Sequence, residues 1–237
     1  SALRLCVCER FVDAKLSSIT IEALGVYMSF SKFFSKQARK PSGIFGRFVM
    51  SLIFDKGNAE LNTFMKELLS PEKNDRILEI GFGTGKLIHE MAGIADNGYV
   101  EGVDFSETMV SVAKKRNKKY IANGSVKICQ GNFEEMAYKD NFFDKICTAN
   151  TIYFWPTPEN TAKQILRILK PGGKFVLGFG DRETLEKKPL STEIFRFYSP
   201  DDVKDLLTNA GFTGGVHIMS KKGTAFPLHC AVALKAG

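Results

Sequence analysis

The apolar positions of the chain fall into two textures that meet near Ser70. Before it they recur at helical spacing. Phe45, Phe48, Val49, Leu52 and Ile53 form one stripe, and Leu61, Phe64, Met65 and Leu68 form another. Ser70-Pro71 ends the second helix, because the residue before a proline is pushed out of the α region. Upstream, Arg39-Lys40-Pro41-Ser42-Gly43 is a cluster of breakers and reads as a loop. Ile19 to Phe34 carries Tyr27, Phe30, Phe33 and Phe34. It reads as a helix packed on the core, with a pocket cover or a membrane- or substrate-touching helix as the alternatives.

From Arg76 the pattern alternates between periods of two and 3.6. Arg76 to Ile80 is a strand running into glycines, followed by a helix stripe at Leu87, Ile88, Met91 and Ala95. Tyr99 to Val103 is a strand ending in Asp104, and Ser106 to Ile121 a helix with a basic outer face. Val126 to Cys129 and Phe143 to Ala149 are strands. Ala162, Ile165, Leu166 and Leu169 mark a helix, and Pro171-Gly172-Gly173 turns the chain into the strand Lys174 to Phe179. Ser199 is placed to cap a helix that has Pro200 at its first position and Asp202 in its first turn. Val203, Leu206, Leu207 and Ala210 give that helix its buried stripe, and Gly211 stops it. Two strands close the chain, Gly215 to Met219 and Phe226 to Leu234, with no helix between them.

Strands alternating with helices imply an α/β domain, a mostly parallel sheet covered on both faces, with an antiparallel hairpin at its end. The division expected is an N-terminal helical cap or lid over residues 1–70 and a core over 71–237. Ligands of such folds sit beyond the carboxyl ends of the strands, where strand order reverses.

Composition changes this picture little. The 237 residues are 44% hydrophobic and 25% charged, as in ordinary folded proteins. The formal net charge of +7 admits an anionic partner. However, the run Lys114-Lys115-Arg116-Asn117-Lys118-Lys119 lies on a helix and lacks interleaved aromatics, so it reads as a solvated face and nucleic acid is disfavoured. Cys6, Cys8, Cys129, Cys147 and Cys230 are odd in number and scattered, which points to no disulfide framework and a reducing, cytoplasmic setting. No apolar run has the length of a membrane span. His89, His217 and His229 stand apart from one another; His89 reads as structural, the other two as packed, and no metal site is expected.

The chemistry concentrates in Glu79-Ile80-Gly81-Phe82-Gly83-Thr84-Gly85, between a strand and a helix. Glycines there allow a tight turn and the approach of a ligand to bare backbone. A P-loop would need four residues between its glycines followed by Lys-Ser/Thr, and only three separate Gly81 from Gly85. A dinucleotide loop would need its third glycine one residue later. A plain strand-to-helix turn is the remaining alternative.

The spacing acidic-x-Gly-x-Gly-x-Gly resembles the class I S-adenosylmethionine-dependent methyltransferase family, in its small-molecule branch. Glu79, Gly81, Gly83 and Gly85 meet it. Val100 to Ser106 resembles the family's second strand, whose terminal carboxylate, Asp104 here, grips the ribose diol. Lys170-Pro171-Gly172-Gly173 also matches, as a turn. The resemblance covers roughly residues 40 to 237. It implies a Rossmann-like, doubly wound, seven-stranded sheet of order 3-2-1-4-5-7-6 with the last strand antiparallel, and S-adenosylmethionine as cofactor. Glu79, Gly81, Phe82, Gly83, Gly85, Asp104, Phe105, Met109, Asn132, Phe133 and Asn150 are the cofactor-binding residues it implies. Asn132 stands where the family often has Asp facing the adenine, and Asn150 would contact the cofactor through its backbone.

Methyl transfer from a sulfonium is an in-line displacement that needs alignment more than a fixed triad. Asn150-Thr151-Ile152-Tyr153-Phe154-Trp155-Pro156 should border the reacting end. There Tyr153 is the candidate catalytic hydroxyl, with packing beneath the N-terminal helices as its alternative. Base-methylating enzymes carry Asn-Pro-Pro-Tyr in this place, and Thr151-Ile152 replaces the prolines. Arg39, Lys40 or Ser42 is expected to help close the methionine end. The acceptor expected is a small molecule, methylated on O, N, S or C. An RNA or protein methyltransferase and a catalytically silent cofactor-binding scaffold stay as rivals.

Overall fold

The computed structural model describes residues 32, 35, 36, 39, 40, 58–188 and 190–237. Most of the expected cap over 1–70 lies outside them. So do Cys6, Cys8, Ser42, the helix through Phe45 to Ile53, and Ile19 to Phe34 apart from Lys32.

Seven strands form one sheet: β1 Arg76–Ile80, β2 Tyr99–Asp104, β3 Val126–Gln130, β4 Phe143–Ala149, β5 Leu169–Phe179, β6 Val216–Lys222 and β7 Pro227–Leu234. Their order is β3-β2-β1-β4-β5-β7-β6, as the resemblance implied. The first five strands pair in parallel, whereas β7 is antiparallel to both β5 and β6. The helices are α1 Ala59–Leu69, α2 Lys86–Ala92, α3 Glu107–Arg116, α4 Lys118–Ala122, α5 Pro158–Ile168, α6 Arg182–Glu186 and α7 Pro200–Ala210.

The central strands are buried on both faces, which is why β1 reads as an almost continuous apolar run. One face packs against α5 and α7 through Ala162, Ile165, Val203 and Leu207. The other packs against α1, α2 and α3 through Leu61, Met65, Leu87, Met91 and Val110. Ser199 accepts from the Asp202 amide while Asp202 accepts from the Ser199 amide, and Gly211 at φ 108° ends α7.

Three elements depart from expectation. The helix drawn from Ser106 to Ile121 is two helices, α3 and α4, parted at Asn117. The buried Asn117 side chain donates to Gly85 O and Ala113 O, both at 3.0 Å, and the bond to the carbonyl four residues back competes with the helical ladder there. Strand β5 begins at Leu169, so Pro171-Gly172-Gly173 is an irregularity within it, opposite Phe143 and Lys145 of β4. The segment between β5 and α7 holds α6, which no periodicity announced.

β1 is flanked by β2 on one side and β4 on the other, so the order in which strands are added to the sheet reverses there. The carboxyl ends of these strands open onto a cavity of about 430 Å³.

Candidate active site

The glycine loop forms the cavity floor. Gly81 and Gly85 have φ near +69° and +68°, which a side chain would strain. Space forbids one as well: a Cβ on Gly81 would lie 2.4 Å from Thr151 Cγ2, and one on Gly85 would lie 2.6 Å from Ala113 Cβ. The loop is tied to its surroundings. Gly81 N donates to Val103 O, and Arg116 Nη1 donates to Thr84 O at 3.2 Å and Thr84 Oγ1 at 2.5 Å. Arg116 and Asn117 belong to the run read as a solvated basic face. That reading holds for Lys114, Lys115, Lys118 and Lys119, which are exposed, and fails for these two, which turn inward.

Asp104 ends β2 and faces the loop. Its Oδ2 accepts from Gly83 N at 3.0 Å and its Oδ1 from Ser106 N at 2.8 Å. Ser106, not Asp104, caps α3. Burial pushes the Asp104 carboxyl up to about 6, against the pull of those two amides. Glu79 is buried with Oε2 unpartnered. Burial first, and then the charge of Asp104, hold its carboxyl well above the usual range.

The sequence-derived candidates Gly81, Phe82, Gly83, Phe105, Met109, Asn132, Phe133 and Asn150 all line this one cavity, together with Glu79, Asp104 and Tyr153. Gly85 lies behind it, against α3. Asn132 is exposed and caps a turn at Phe133–Glu135, its Oδ1 accepting from Glu134 N at 3.3 Å. Asn150 has φ 55°, and its side chain donates to Asn58 Oδ1 at 3.1 Å. Arg39 lines the cavity too, and Lys40 lies over the Phe105 ring at 5.7 Å.

Tyr153 is buried, and its hydroxyl is already engaged. It accepts from Gly180 N at 2.6 Å and lies within donating distance of Asn150 Oδ1 at 3.0 Å and Gly180 O at 3.2 Å. Burial also raises its pKa further from neutrality. An oxygen so occupied is a poor proton acceptor, and it joins β5 to the turn after β4. Thr148, Thr151 and Trp155 extend this support: the two threonine hydroxyls lie 2.6 Å apart, and Trp155 Nε1 donates to Thr151 Oγ1 at 3.2 Å. Thr151 and Trp155 belong to the segment expected to border the reacting end, whereas Thr148 did not stand out, since a threonine within a strand carries no distinctive pattern.

Beyond Tyr153 the cavity wall turns apolar. Leu61, Phe154, Phe179, Leu185, Leu190, Phe195, Phe226 and Leu228 line it, with the Phe154 and Phe195 rings 4.7 Å apart. The histidines stay outside. His89 meets Tyr120 edge-on, and buried His229 is 2.9 Å from Ser220 Oγ. His217 is exposed rather than packed, because its side of the edge strand β6 is uncovered. Cys129, Cys147 and Cys230 are free. No helix among the described residues is long and apolar enough to cross a membrane.

A seven-stranded sheet of this order, with a glycine-rich turn at the end of β1 and an acid at the end of β2, defines the Rossmann-like methyltransferases as a class. The chain belongs to the class I S-adenosylmethionine-dependent methyltransferases, and S-adenosylmethionine is its cofactor. A family model described as a methyltransferase domain matches residues 78–177. The uncharacterized methyltransferase YdaC of Bacillus subtilis is 33% identical over 138 residues, covering 58% of this chain and 74% of that protein. The demethylmenaquinone methyltransferase of Bacillus licheniformis is 29% identical over 136 residues, 56% of this chain and 57% of that one. The chain thus spans little more than half of that relative's length. A solved methyltransferase from Aquifex aeolicus superimposes with a TM-score of 0.60 at 21% identity, over 74% of this chain and 89% of that one.

Proposed function

We propose that this chain methylates a small, flat, apolar acceptor, and that the residues around the glycine loop hold the cofactor while the aromatic wall holds the acceptor. The observation that carries this reading is that both kinds of surface belong to one cavity. Its polar end is glycine backbone and carboxylate, and its far end is almost entirely hydrocarbon.

The polar end fits an adenosyl sulfonium compound. Asp104 keeps lone pairs free after accepting two amides and suits the two ribose hydroxyls. The bare loop at Gly81 and Gly83 admits the body of the cofactor, and Glu79 supplies an acceptor without a partner. Phe105, Met109 and Phe133 provide apolar surface for a purine, and Asn132 retains an unused lone pair on Oδ1. Asn150 and Arg39 border the methionine end. When bound, the cofactor supplies an electrophilic methyl group on a good leaving group. The protein contributes alignment and exclusion of water, and alignment alone is worth roughly 7–11 kcal/mol. Tyr153 serves here as a positioning residue, not as a base.

A relative named for demethylmenaquinone supports a ring-shaped acceptor, and one named for O-methyl transfer supports oxygen as an accepting atom. The test is incubation with methyl-labelled cofactor and three acceptor sets: quinols and phenols, RNA, and protein. Label is expected on a quinol or phenol. Label confined to RNA or protein overturns the reading, as does tight cofactor binding without transfer to any set.

A further inference from the structure

The glycine loop and Asp104 account for one end of the cavity, but the far end holds an ionisable group that has no role so far. Lys188 follows α6, and its backbone is fixed on both sides. Its amide donates to Leu185 O at 3.0 Å, and its carbonyl accepts from Leu190 N at 2.7 Å. The side chain joins the cavity wall, with Nζ 3.9 Å from the centroid of the Phe226 ring. A ring face at that distance holds an ammonium in place without neutralising it. Leu185, Leu190 and Leu228 line the same cavity. No carboxylate or hydrogen-bond acceptor engages this ammonium among the described residues.

The cavity's other charges do not answer it. Asp104 is held by two amides beside the glycine loop, Glu79 lies under that loop, and Glu134 accepts from Thr161. Arg39 and Lys86 add positive charge. Lys188 is exposed as a residue, and partial burial of its amine against the cavity wall draws the amine below its ordinary pKa.

We propose that Lys188 binds the methyl acceptor, and that the acceptor is a flat apolar molecule whose acidic hydroxyl is bound as an oxyanion beside this ammonium. This rests on the small-molecule reading above and names the acceptor's chemistry. The hydroxyl proton leaves to solvent. The oxyanion, through its oxygen or a conjugated ring carbon, forms a bond to the methyl carbon as the carbon–sulfur bond breaks. The electron pair of that bond stays on sulfur as a neutral thioether. Where carbon is the acceptor, its ring proton leaves afterwards.

The probe for the test is 4-nitrophenol, whose neutral and ionised forms absorb at different wavelengths. It is titrated into the full chain with S-adenosylhomocysteine present, from about pH 5 to about pH 9. With the wild type, the bound probe is expected to ionise at least about one pH unit below the free probe, which corresponds to about tenfold tighter binding of the oxyanion. K188M abolishes that shift with S-adenosylhomocysteine affinity unchanged, and K188R restores most of it. An equal shift in wild type and K188M overturns the assignment of Lys188 and leaves the apolar acceptor pocket standing. Failure of the probe to bind wild type overturns the pocket reading and the Lys188 assignment together. Should K188M not fold, the comparison is made with K188Q.

Discussion

Asp104 is held in tension between two demands. Its two amide donors favour the carboxylate, and its burial favours the acid; burial prevails and the pKa rises to about 6. The unfolded chain releases this proton near the ordinary value of 3.8. Between the two values the folded state therefore holds more protons. The contribution is fully present below the unfolded value and is lost as pH rises through about 6, amounting to about 3 kcal/mol. Wild type should thus lose stability relative to D104N as pH is raised from about 4 to about 7. Calorimetric melting of both proteins across that range checks it, and parallel curves would refute it. Cofactor affinity should move the opposite way, since a ribose diol needs the ionised acid. S-adenosylhomocysteine should bind wild type about tenfold more weakly at about pH 5 than above pH 7, while D104N binds weakly at both. Tyr153 gives a complementary case. Y153F leaves the buried Gly180 amide without its acceptor, which costs about 1–3 kcal/mol. Turnover should fall through lost alignment, and the pH dependence of kcat should keep its shape. A vanished alkaline limb in Y153F would return the hydroxyl to a proton-transfer role.

At the scale of elements, the glycine loop and the α3–α4 pair behave as one unit. Gly85 sits with a left-handed φ against Ala113, while Arg116 and Asn117 grip the carbonyls of Thr84 and Gly85. G85A meets both obstacles, the backbone conformation and the contact at 2.6 Å, and should cost about 3 kcal/mol in urea unfolding. A cost below about 1 kcal/mol would mean that α3 moves aside readily. The loop was legible from the sequence because backbone geometry dictates residue type there, and nothing but glycine satisfies Gly81 or Gly85. Asp104 was legible for a related reason, standing where a strand with buried faces ends in an acid. Arg116 and Asn117 were not, because a basic helical run looks the same whether or not one residue of it turns inward. The apolar wall was hidden for another reason. Leu185, Lys188, Leu190 and Phe195 lie in a segment without period, and only its packing on β5 and β7 brings them to the cavity. Tyr153 illustrates the limit: its neighbourhood was foreseen, but its bond to Gly180 spans 27 residues and leaves no local trace.

For the whole molecule, the sheet divides the labour of the site. Strands β1 and β2 with α3 furnish the glycine loop and Asp104. Strands β5 and β7, with the segment between β5 and α7, furnish the apolar wall. The segment between β5 and α7 packs through Leu185, Leu190 and Phe195 on one face of the sheet, and the glycine loop packs through Phe82, beside Ala113, on the other. Mutations confined to one half should therefore separate two functions, because distant sites without shared partners act independently. Leu190 suits the test, being half-buried at the cavity wall and packed in a different core cluster from Phe82 of the glycine loop. L190W fills acceptor space with little strain on the core. It should raise the acceptor KM or abolish transfer, by about tenfold or more, as a misfit of a few carbons in an apolar pocket does. S-adenosylhomocysteine should bind L190W as it binds wild type and raise its melting temperature equally, since stabilisation by a ligand depends only on its concentration and affinity. If cofactor affinity collapsed together with transfer, the wall built by β5 and β7 would belong to the cofactor site, and the acceptor would have to enter elsewhere.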